Sequence, residues 1–178
     1  MVELPDRFAF LAKEPGPRML REALALYGTA EKPGDGNNPL IMAWAKEVGL
    51  STDQYPNDAT AWCGLFMAVV AKRADKVVPE GPLWALNWRN FGTPVTQPML
   101  GDVIVVRRPG GGHVTLYVAE DDKYYYGLGG NQSDKVNISP IAKSRNPSFR
   151  RPKYVNQPAN VRPIVLTSAG EQTAQKES

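Results

Sequence analysis

The spacing of apolar residues changes once along this chain, and that change restricts its possible folds more than any other feature. Up to Ala74 the apolar positions recur every three or four residues. Met19, Leu20, Ala23, Leu24 and Tyr27 form one stripe, Leu40, Ile41, Trp44, Ala45 and Val48 a second, and Trp62, Leu65, Phe66, Val69 and Val70 a third. Each stripe predicts a helix, with Gly28 and Gly49 stopping the first two and Asp58 or Thr60 capping the third. From Gly101 onward a two-residue alternation takes over. "GDVIVVRR", "HVTLYVAE" and "KYYYGLGG" read as strands joined by "PGGG" and "DD" turns, and "KVNIS" as a further strand. Between the two regimes lies a proline-rich connector that contains Trp84 and Trp88 and has room for a short helix. Helices first and strands afterwards predict an α+β domain, with the helices packed on an antiparallel sheet.

A length of 178 residues suits one domain with a full core. The pattern sets its limits at 18–163, with 1–17 as an N-terminal extension and 164–178 as a disordered tail. The first residues lack the basic start and apolar stretch of a secretory signal, and no run approaches the roughly 20 apolar residues of a membrane span. The expectation is a monomer made in the cytoplasm without a signal peptide, with no stable membrane insertion. Net charge is only +3. The basic residues are scattered except in "KSRNPSFRRPK" at 143–153, which reads as a solvated terminal segment. Without zinc-finger spacing, an RNA-recognition signature or a long basic helix, nucleic acid is not an expected partner.

The chain has one cysteine and one histidine. A lone cysteine excludes an internal disulfide, and one residue of each type is too few for a zinc site, so neither metal nor cofactor is expected. Cys63 falls in the first turn of the third helix, where unpaired N–H groups and the helix dipole favour an anion and should lower the thiol pKa toward a thiolate. His113 starts a strand directly after "PGGG". An imidazole beside a thiol serves as its base, and a third polar group orients the imidazole. The loop "GLGGNQSD" offers Asn131, Gln132 and Asp134 for that third place. Asn131 gives the order Cys, His, Asn of papain-like enzymes. No G-x-S-x-G elbow and no P-loop lysine accompany these residues.

"AWCGLFMAVVAKRA", "MLGDVIVVRRPGGGHVTLYVAE" and "GLGGNQSDKVNIS", in that order, resemble the three blocks of phage-type cell-wall peptidases. These are the CHAP and NlpC-type cysteine, histidine-dependent amidohydrolases and peptidases with a papain-like core. The likeness runs from about Arg18 to about Pro152, and "EKPGDGNNPLIMAW" resembles the family's upstream loop and second helix. The resemblance implies Cys63 as nucleophile, His113 as base and acid, and Asn131 as the orienting group. It implies peptidoglycan as substrate, cut at an amide of the peptide stem or at the muramoyl–alanine link, without a cofactor. Tyr55, Trp62, Tyr117 and Gln132 are the expected substrate contacts, with Tyr55 also a candidate second oxyanion donor beside the Cys63 N–H. An endolysin would reach the wall through a holin, whereas a virion-borne lysin or a toxin would need other machinery. A toxin amidase, a protein deamidase and a non-enzymatic wall-binding protein are the alternatives on the same fold. The chain departs from papain in lacking a glutamine shortly before the cysteine, where Ala59, Thr60, Ala61 and Trp62 stand instead.

Overall fold

The computed structural model describes residues 3–167 and the backbone of 172–173. It has three α-helices, α1 (Arg18–Ala25), α2 (Pro39–Glu47) and α3 (Cys63–Arg73), followed by the strands. These are β1 (Thr93–Val95), β2 (Val103–Arg108), β3 (Gly111–Glu120), β4 (Tyr124–Gly129), β5 (Asn137–Ala142), β6 (Ser148–Arg151), β7 (Val165–Leu166) and β8 (Gln172–Thr173). Strands β1 to β6 form an antiparallel sheet in the order β1-β6-β2-β3-β4-β5, while β7 adds a parallel bridge to β3 and pairs with β8. The α+β class expected from the change in periodicity is observed. Among the described residues no helix is long and apolar enough to cross a membrane.

Helix α3 is the centre of the core. Every residue from Cys63 to Ala71 is buried, as befits a helix that is apolar on all sides. It packs against α1, α2 and the face of the sheet that carries Val103, Val105, Val114, Leu116 and Val118. The alternate residues Ile104, Val106 and Tyr117 join Phe149 and Ile141 in a smaller cluster on the other face. A bulge between Tyr117 and Ala119 shifts the register of β3 against β4, so Val118 and Ala119 both enter the main core.

Four sequence expectations are corrected. The N-terminal segment is no extension. Phe8 and Leu11 of the 3-10 turn Asp6–Lys13 lie in the core, and Arg7 and Glu14 pair with Asp121 and Arg162. The disordered tail was drawn to begin at 164, yet Ile164 and Leu166 are buried, because the β7 bridge carries them onto the core; residues 168–171 and 174–178 lie outside the described residues. The basic stretch at 143–153 is solvated only in part: Ser144, Arg145, Asn146 and Lys153 are exposed, whereas Phe149 and Pro152 are buried. Strand β6 inserts between β1 and β2, and Arg151 reaches the fully buried Asp102 at 2.8 Å. Finally, neither Asp58 nor Thr60 caps α3. Its N-cap is Trp62 without a side-chain bond, while Asp58 accepts the backbone amides of Lys32 and Asn38.

Candidate active site

Trp62 makes no side-chain bond to the first-turn amides of α3, and Cys63 occupies that turn. Its thiol lies within reach of the backbone amides of Val114, Gly64 and Cys63 itself. Gly64 is required by close approach. A Cβ there would stand 2.1 Å from the Pro82 carbonyl oxygen, so the connector crosses directly over the start of the helix. Trp84 then lies against Gly111 and Leu86 against Gly112, which brings the connector from the cysteine to the strand that bears the histidine.

His113 is 7% exposed, and Gln132 Oε1 stands 2.8 Å from its Nε2. The orientation of that amide follows from its other bonds. Gln132 Nε2 donates to the carbonyl oxygens of Gly127 and Asn137 and to Asn137 Oδ1, at 3.1, 2.7 and 3.1 Å. With three acceptors around its nitrogen, Oε1 faces the imidazole, and the imidazole donates from Nε2. The lone pair therefore sits on Nδ1, the nitrogen that faces Arg108 Nη2 at 3.4 Å. The loop carrying Gln132 holds Asn131, Ser133 and Asp134 at φ 56°, 53° and 60°, a cluster of left-handed conformations at one site. Pairing of Ala30 with Lys135, and of the Thr29 carbonyl with the Val136 amide, ties this loop to the segment before α2.

The structure thus brings His113 and Gln132 together and sets Cys63 one residue away, at Val114. The amide at His113 is that of Gln132 and not that of Asn131, which sits in the turn at φ 56°. The expectation of a lowered thiol pKa is also corrected. Burial pushes the Cys63 thiol up despite the amides of Val114, Gly64 and Cys63 and the charge of Arg108. Burial, opposed by the Gln132 bond and helped by the charges of Arg108 and Arg145, likewise pulls His113 down to about 4. At neutral pH both groups are uncharged, and no hydrogen bond joins them, since the ring nitrogens contact Arg108 and Gln132.

Three expected substrate contacts are displaced from that role because they have no exposed surface. Tyr55 donates its hydroxyl to the Thr60 carbonyl oxygen, Trp62 donates Nε1 to Glu31 at 2.6 Å, and the Tyr117 hydroxyl donates to Glu120. The exposed aromatic beside the histidine strand is Trp84, at 52%. Arg108 escaped the sequence reading. Its only signal was its place opposite Gly111 across the hairpin, two residues beyond the Val106 that pairs with His113.

Two open hollows of about 510 and 570 Å³ flank β1, lined by Pro94, Val95 and Thr96 with Arg89, Arg150 or Arg151, and neither includes Cys63 or His113. These two hollows are therefore separate from the cysteine and histidine, and the buried ionisable pair is the better guide to a site. No group of three or more His, Cys, Asp or Glu among the described residues is arranged to hold a metal ion. A scan against protein-family models found no match, and a search of curated proteins found no similar sequence.

Proposed function

We propose that this chain is a cysteine amidohydrolase with a papain-like core, and that its substrate is an amide of the peptidoglycan peptide. One observation carries the reading: Gln132 fixes the His113 tautomer so that the lone pair lies on Nδ1, while the cysteine occupies an uncapped helix start beside Val114. A core histidine satisfied for structural reasons does not need three further bonds to hold its partner. The choice of peptidoglycan rests on the resemblance of the three sequence blocks to cell-wall peptidases.

The chemistry starts from a neutral pair. His113 Nδ1 takes the thiol proton as sulfur attacks the carbonyl carbon, and the first-turn amides of α3, those of Cys63 and Gly64, face the developing oxyanion. The carbon–nitrogen bond breaks, and His113 returns the proton to the leaving amine. Water then attacks the thioester with His113 as base, releasing the acid and restoring the thiol. Because neither group is charged at rest, proton transfer and attack occur together. Gln132 accepts from the Nε2–H throughout and stabilises the transient imidazolium.

The test is muropeptide release from purified peptidoglycan, read by mass spectrometry, for the intact chain and Cys63→Ala. Defined fragments from the first and none from the second support the reading, and the fragment masses name the bond. Silence on several wall types removes the wall-hydrolase reading and favours a toxin amidase, a deamidase or a binding protein. An endolysin, which needs a holin, and a virion-borne lysin share this chemistry and differ only in delivery.

A further inference from the structure

Three guanidinium groups stand at the open end of the β2–β3 hairpin. Arg107, Arg108 and Arg145 are exposed, and among the described residues none of them pairs with a carboxylate. The Arg145 Nη2 donates to the Arg107 carbonyl oxygen at 2.6 Å, which holds this cation to the hairpin rather than free in solvent. Arg108 donates Nη2 to the Gly112 carbonyl oxygen at 3.3 Å and faces His113 Nδ1, while its Nε and Nη1 have no partner among the described residues. Positive charges gathered without a counterion repel one another and create a local potential that attracts an anion. Three glycines in a row, Gly110 to Gly112, leave the adjoining strip without side chains, and a Cβ on Gly110 would meet nothing within 4 Å.

We propose that Arg108, supported by Arg107 and Arg145, binds a carboxylate that the substrate carries within about one residue of the amide to be cut. A guanidinium N–H makes a charge-assisted hydrogen bond to a carboxylate, and Arg108 Nε and Nη1 are each left to donate one, while Nη2 is held by Gly112 and His113. It is the one charged side chain acting on both Cys63 and His113, so a carboxylate on it lies beside the reacting carbonyl. Such an anion also cancels the positive charge that disfavours the imidazolium, at the moment His113 takes a proton. The substrates are then acidic peptides, and their amidated counterparts are poor ones. This inference rests on the amidohydrolase reading.

The single cysteine allows a test that needs no substrate. Intact-mass kinetics of alkylation report on Cys63 alone, with sulfur displacing iodide and the thiol proton passing to solvent. The anionic reagent iodoacetate is compared with neutral iodoacetamide, using glutathione as the reference thiol. We expect the iodoacetate-to-iodoacetamide rate ratio to exceed that of glutathione by about tenfold, as for one charge-assisted contact. Arg108→Gln should abolish the excess and Arg108→Lys should keep part of it; because the Arg108 charge also holds the thiol pKa down, Arg108→Gln slows both reagents, and the ratio taken within each protein is the readout. A wild-type ratio equal to that of glutathione overturns the proposal, as does an excess that survives Arg108→Gln. A thiol that reacts with neither reagent until the chain unfolds also overturns it. For acidic peptide substrates, converting the terminal and the side-chain carboxylate separately to carboxamides shows which one is bound, and no effect of either refutes the site. Failure of the parent reading has a different signature, the absence of muropeptide release from the wild type whatever the alkylation ratio.

Discussion

Replacing Gln132 with leucine tests the site at its most determined point. The substitution removes the acceptor 2.8 Å from His113 Nε2 and the donor shared by Gly127 and Asn137, in a place where Gln132 is 7% exposed. An unpaired buried donor costs about 1–3 kcal/mol, and the two carbonyl oxygens each retain a second lone pair for other partners. We therefore expect a stability loss of about 2–4 kcal/mol. The effect on chemistry is separate. Without the acceptor, the proton no longer prefers Nε2, the Nδ1 lone pair is present only part of the time, and the ring is free to turn. A loss of about a hundredfold in turnover follows, within the usual worth of a positioned base. Asn131→Gly is the control, because glycine accepts the φ of 56° and no bond to His113 is lost. It should stay within about 0.5 kcal/mol and keep its rate within about twofold. The assays are chemical denaturation, muropeptide release per folded molecule, and the NMR signal of the one imidazole. That signal should show a protected Nε2–H in the wild type and none in Gln132→Leu. A hundredfold loss in Asn131→Gly, with Gln132→Leu nearly unaffected, would refute the assignment.

Other perturbations follow from the same electrostatics and packing. The His113 pKa is pulled from 6.5 to about 4 by burial, so the unfolded chain binds the extra proton across that interval. This share of stability, about 3 kcal/mol, is complete above pH 6.5 and is lost as the pH falls toward 4; denaturation midpoints of wild type and His113→Gln should converge across that window, and parallel curves would count against it. Burial raises the Cys63 thiol, so iodoacetamide alkylation should still be accelerating above pH 9, and a rate that levels off near pH 6 would contradict the neutral resting pair. Arg151→Met leaves the buried Asp102 carboxylate without its cation and should cost about 3 kcal/mol in denaturant titration; a loss under about 0.5 kcal/mol would show that the pair is dispensable.

The parts of the fold legible in the sequence were those set by local periodicity. The three helices and the strands from Val103 to Ala142 follow from the spacing of their apolar residues, although α3 is buried on every side and β5 buries Ile141 alone. Strand β6 was not legible, since Ser148–Arg151 carries two arginines, and only its backbone pairing with the distant β1 and β2 makes it part of a sheet. The same holds for Ile164, whose burial depends on a parallel bridge to β3. At the site, the cysteine and histidine were legible as the single residues of their kinds, placed at a helix start and a strand start. The choice between Asn131 and Gln132 was not. Adjacent residues in a turn point in different directions, and left-handed φ values at Asn131, Ser133 and Asp134 determine which amide faces the imidazole.

The thiol shows why a local rule can yield to a global one. Position at a helix start lowers a thiol pKa by a partial charge acting over a short distance, and this part of the expectation is present in the amides of Cys63 and Gly64. Yet the same helix is the core of the molecule, with Cys63 3% exposed, and removing a charge from water outweighs a half-charge of dipole. The anion is therefore favoured only when something else enters the site. In the proposed mechanism a carboxylate on Arg108 would stabilise the imidazolium as it forms, so the proton transfer that accompanies attack would become easier once the substrate is in place. On this reasoning a neutral resting pair protects the one thiol of the chain from stray electrophiles. It predicts that an acidic, non-cleavable peptide analogue raises the His113 pKa toward 6.5, read from the same imidazole signal, whereas its amidated form leaves it near 4.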